Sequence, residues 1–148
     1  MNHCAFLPLT TDAAVRACAG TTGEARTRAT VVRHRAAEAE TAAAQCWTAL
    51  LAGCDSAGRW ELSPRLRRLA EATSLYAGSH WWFAEGSVHR RRVASAQTSL
   101  EDAIADGDGG EFARAFVGYD HAMASAVMCA QSSTRSAPRN SESVRRTP

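Results

Sequence analysis

Apolar residues recur along most of the chain at spacings of three and four, the period of one helix face, and no stretch alternates with the period of two that marks a strand. Thr10 or Thr11, followed by Asp12, is placed to cap a short first helix that stops at Gly20. Thr21 and Glu24 have capping-box spacing and precede the longest helical pattern, which runs to about Gly53. Within it Ala25, Ala29, Val32, Ala36, Ala39, Ala43, Cys46 and Leu50 alternate steps of four and three, the seam spacing of a coiled coil. Small side chains dominate that seam, so it predicts a closely approaching neighbour.

Ser63 and Pro64 read as an N-cap with proline at the first helical position, opening a helix whose stripe is Leu62, Leu66, Leu69, Thr73 and Tyr76. Gly78 ends it, or bends it into the next. The following face is Trp82, Gly86, His89, Val93, Ala96, Leu100 and Ala103, and Asp108 with Glu111 repeats the capping spacing after a Gly-rich turn. Phe112, Phe116, Tyr119, Met123, Val127 and Ala130 form one strongly amphipathic stripe on the last helix. The sequence thus predicts an all-α fold, an antiparallel helical bundle of about four helices over residues 1–130, followed by a disordered basic tail over 131–148. The alanine seam suggests a homodimer that completes the bundle with a second copy.

Composition changes this picture in two ways. Ala supplies 31 residues while Leu, Ile, Val and Phe together supply only 22 of 148, so the core must be small or tightly packed. All 17 basic residues are Arg, which with the abundance of Ala points to the codon usage of a GC-rich bacterium. The absence of Lys removes P-loop phosphate binding, Schiff-base chemistry and lysine-anchored pyridoxal chemistry. The net charge of +2 is unevenly spread: the segment from Gln131 holds four Arg and one Glu, leaving residues 1–130 at about neutrality. No secretory signal and no apolar run of membrane-spanning length is visible, so a cytoplasmic location is expected. The five cysteines form no CxxC pair and read as free thiols.

Few residues in this frame could carry chemistry. The turn from Asp106 fails as a calcium loop, because Gly110 stands at the fifth ligand position and Val117 at the twelfth. His34 with Glu38, and Glu85 with His89, are spaced by four on a helix, and Asp120 or His121 would add a ligand from another; this is the basis of a bundle-metalloprotein reading, although no residue is assigned as a metal ligand. Arg65 and Arg68, and the run Arg90, Arg91 and Arg92, are candidate nucleic-acid contacts, as in an accessory factor of plasmid or mobile-element maintenance or transfer. No nucleophile motif, cofactor loop or catalytic set is present. Trp81, Trp82 and Phe83 cover too much of a helix's circumference to be buried together, and they are the candidate partner contacts. The leading expectation is a non-catalytic helical protein, without cofactor, acting by protein–protein or self-association.

Overall fold

The computed structural model describes residues 5–136, with side chains as far as 133. Seven helical segments follow in order: α1 (Pro8–Ala19), α2 (Gly23–Ala52), α3 (Ala57–Trp60), α4 (Leu62–Ala77), α5 (Ser79–Phe83), α6 (Ser87–Asp106) and α7 (Gly109–Ser136). No strand occurs among the described residues, and no helix there is long and apolar enough to cross a membrane. The expectation of about four helices is corrected to five long ones with two single-turn segments between them. Residues 131–136, expected in the tail, continue α7; the rest of the tail, 137–148, lies outside the described residues, as does Cys4.

The stripes read from the sequence are the buried faces. Ala29, Val32, Ala36, Ala39, Ala43, Cys46 and Leu50 of α2 are buried, as are Leu62, Leu66, Leu69, Thr73 and Tyr76 of α4 and the whole stripe from Phe112 to Ala130 of α7. The alanine seam is covered within the chain: α1 packs on one side of α2 and α4 on the other. It therefore offers nothing to a second copy. Leucines on α4 and aromatics on α7 supply the bulk that alanine lacks, so small and large side chains interdigitate at the density a core requires. At one end of the core Phe6, Trp47, Phe112 and Phe116 make a ring cluster, with centroids 5.3 Å apart for Phe6 and Phe116 and 6.0 Å for Trp47 and Phe112.

Sequential neighbours run antiparallel, but α1 runs the same way as α7: Thr10 lies beside Asp120, and further along Arg16 lies beside Gln131. α7 touches α1, α4 and α6, which makes it the central element of the packing.

Several helix ends differ from the expected caps. α1 begins at Pro8, where a missing N–H costs nothing, and Thr10 is buried in its first turn. Thr21 donates to the Ala17 carbonyl at 2.7 Å, so the capping box with Glu24 does not form. α4 begins at Leu62, whose burial pulls it into the helix, and Ser63 turns to Glu101 on α6. Other ends follow expectation: α1 stops at Gly20 and α4 at Gly78, the Asp108 carboxylate accepts from the Glu111 N–H at 3.0 Å, and Gly53 closes α2 in the left-handed conformation at φ 65°. Gly78, at φ 91°, separates α4 from α5, so the chain there is two helices and not one bent helix.

Candidate functional site

The best-built polar feature is the start of α1. The first N–H groups of a helix have no partner within it and need acceptors from elsewhere. Here two carboxylates supply them. Glu40 of α2 accepts from the N–H of Phe6 at 2.9 and 2.8 Å and from that of Leu7 at 2.9 Å. Asp120 of α7 accepts from Leu9 at 3.1 Å, from Thr10 at 2.8 Å, and from the Thr10 hydroxyl at 2.8 Å. Asp120 is buried, and these donors at the start of α1 satisfy its oxygens. The two acids tie α1 to α2 and α7.

Between α1 and α2 lies a groove with a volume of about 780 Å³. One wall is Pro8, Thr11, Asp12 and Val15 of α1; the other is Ala37, Glu40, Thr41 and Ala44 of α2. Each set has the spacing 0, 3, 4, 7 of a helix face. The floor is apolar or small, and the only charged lining residues are the carboxylates of Asp12 and Glu40, the former paired with Arg16 at 3.1 Å. The signal was in the spacing, but half of each face is polar and its exposed position depends on which neighbour each helix finds.

The aromatic run divides. Trp81 and Trp82 are buried at the junction of α4, α5 and α6, and only Phe83, 65% exposed, faces solvent. Gly86 leaves room for the Trp81 ring: a Cβ there would lie 2.4 Å from it. The His89 ring stacks on that of Trp81 at a centroid distance of 6.1 Å, and the Arg90 guanidinium lies 5.0 Å above the Phe83 ring. Two of the three proposed partner contacts are therefore structural.

The arginine candidates fall into two groups. Arg65 approaches Glu38, which also takes Arg35 at 2.9 Å, and Arg67 approaches Glu101. The Arg35 hydrogen bond, followed by the neighbouring positive charges, holds the Glu38 carboxyl below the ordinary carboxylate range. Because Arg67 reaches Glu101, and residues 90–92 lie about ten residues up the same helix, the two groups stand roughly 15 Å apart. Arg68, Arg91 and Arg92 are exposed, while Arg90 is folded onto Phe83.

The residues of the metal reading do not converge. His34 lies 3.7 Å from Glu38 on an exposed face, Asp120 is committed to α1, and no group of three or more His, Cys, Asp or Glu able to hold a metal gathers among the described residues. Cys18, Cys46, Cys54 and Cys129 are free thiols. Burial pushes the Cys46 thiol up to about 11, and its sulfur donates to the Arg59 carbonyl at 3.4 Å. Burial also raises the Tyr119 phenol. Both groups are thus neutral and unsuited to nucleophilic work near pH 7. Sequence reasoning missed Arg59, whose guanidinium reaches the Ile104 carbonyl at 2.6 Å and the Ala105 carbonyl at 3.2 Å and so caps the C-terminus of α6.

Comparison with protein-family models, curated proteins and solved structures gave no match for this chain.

Proposed function

We propose that the protein is a non-catalytic helical binding protein of the cytoplasm, and that the α1–α2 groove receives an apolar helical segment of a protein partner. The observation that carries this reading is the groove itself: two helix faces of matched spacing around about 780 Å³, with Pro8, Val15, Ala37 and Ala44 as its apolar lining. An amphipathic helix lays its apolar side into such a space through residues spaced by three and four. Asp12 is paired with Arg16 and Glu40 with the N–H groups of Phe6 and Leu7, so the contact rests on apolar burial and not on charge. Self-association through the alanine seam is set aside, since that seam is buried in the chain. The DNA-contacting alternative is weaker, since its arginines are split between two places and partly paired with acids.

A photo-crosslinking residue in place of Val15, expressed in the source cell, tests the reading, with the same residue at the exposed Val117 as the control. The expected result is a protein captured at position 15 and not at 117, which binds the purified chain directly and loses about tenfold or more in affinity to Val15→Glu. Capture at neither position, or a captured protein that binds Val15→Glu as it binds the original, contradicts the reading. Crosslinking of the chain to itself at position 15 replaces the partner by a second copy.

A further inference from the structure

We propose that a second groove, between α6 and α7, binds a phosphate group carried by a small molecule. This site is separate from the α1–α2 groove and does not depend on it. Its volume is about 350 Å³, and its polar lining is Arg92 and Ser95 from α6 with His121 and Ser125 from α7. Arg92 and Ser95 are three residues apart, and Gly118, His121 and Ser125 follow at three and four, so each helix presents its set on one face. Ala96 and Ala122 form the floor, and nothing lies within 4 Å of the place where a Cβ on Gly118 would stand. The two antiparallel helices therefore leave an open slot between four donors.

Two features give the slot its chemistry. No carboxylate lines it, whereas Arg16, Arg28, Arg35 and Arg114 pair with acids; the other exposed arginines without an ion pair, Arg26, Arg33, Arg68 and Arg91, line no such slot beside hydroxyls and an imidazole. Among the described residues, none of the Arg92, Ser95, His121 and Ser125 side chains has a hydrogen bond or ion pair within the chain. Their donors are therefore open to a ligand from solvent. The guanidinium fork suits two oxygens of an oxyanion, the hydroxyls donate to others, and an imidazole offers one N–H even when neutral. A tetrahedral phosphate has enough acceptor oxygens for all four side chains, whereas a carboxylate has two. A single slot fits one phosphate. Duplex DNA needs a row of cations, and the next arginines do not continue one: Arg90 lies on Phe83, and Arg91 points about 100° around the helix from Arg92.

The test is an amide NMR titration of the full chain with inorganic phosphate, matched in ionic strength by chloride, and with a short DNA duplex in parallel. The expected result is saturable shifts at Gly118, His121 and Ser125 with millimolar phosphate, absent with chloride. Replacing Arg92 by Gln removes a charge-assisted contact and should weaken the response about tenfold, while Ser125→Ala weakens it less. Arg26→Gln, an exposed arginine on α2, serves as the control and should titrate like the original chain. The proposal is overturned by the absence of saturable shifts with phosphate, by an Arg92→Gln chain that responds like the original, or by shifts that appear with the duplex alone.

Discussion

At the scale of single residues, the fold turns on two carboxylates whose partners are far away in sequence. Asp120 serves two backbone N–H groups and a hydroxyl 110 or more residues distant, and it is buried while doing so. Replacing it by Ala leaves the buried N–H and hydroxyl of Thr10 without this acceptor, along with the part-buried N–H of Leu9. We expect Asp120→Ala to lower stability by about 2–4 kcal/mol, Asp120→Asn to cost less because one acceptor oxygen remains, and Glu40→Ala, at a half-buried site, to cost about 1–2 kcal/mol. Denaturant unfolding of the three variants checks the order. None of this was legible in the sequence, where Asp120 entered only as an alternative to His121 for an added ligand in the metal reading. A carboxylate announces its charge, but its donors are fixed only when α1 is laid beside α7.

At the scale of elements, spacing carried most of the information. The stripes of α2, α4 and α7 are long enough for a period of 3.6 to show, and they are the faces that the core buries. The single turns α3 and α5 were not legible, because four or five residues display no period. Helix starts shifted for a similar reason: a Ser–Pro pair satisfies the pattern of a cap, but burial of Leu62 outweighs it, and Pro64 is tolerated in the first turn, where its missing N–H has no helical partner to lose. The Trp–Trp–Phe run is resolved by α5, a turn that sends two rings inward and one outward. Gly86 makes that turn workable. Its φ of −82° is open to any residue, so its role is space beneath the Trp81 ring and not backbone freedom. Gly86→Ala should therefore cost about 1–3 kcal/mol by overpacking and should alter the near-ultraviolet circular dichroism of the tryptophans. An unchanged melting temperature and spectrum would show that the ring has room to move.

At the scale of the whole molecule, a chain poor in large apolar residues builds its core by pairing alanine on α2 with leucine on α4 and aromatics on α7. The seam that suggested a second copy is filled by the chain's own helices, since the pattern marks a face but does not say what covers it. What remains outside is the second face of α2, through Ala37 and Ala44, which forms the wall of the α1–α2 groove. The central claim is thus an orientation: the seam of α2 faces in, and the groove face two residues away faces out. Cysteine accessibility tests it directly, in a chain with Cys4, Cys54 and Cys129 replaced by Ser. Ala37→Cys should be alkylated at the rate of an exposed thiol, while Ala39→Cys should react at least about a hundredfold more slowly until denaturant opens the fold. Equal rates at the two positions, or faster reaction at 39, would contradict the account.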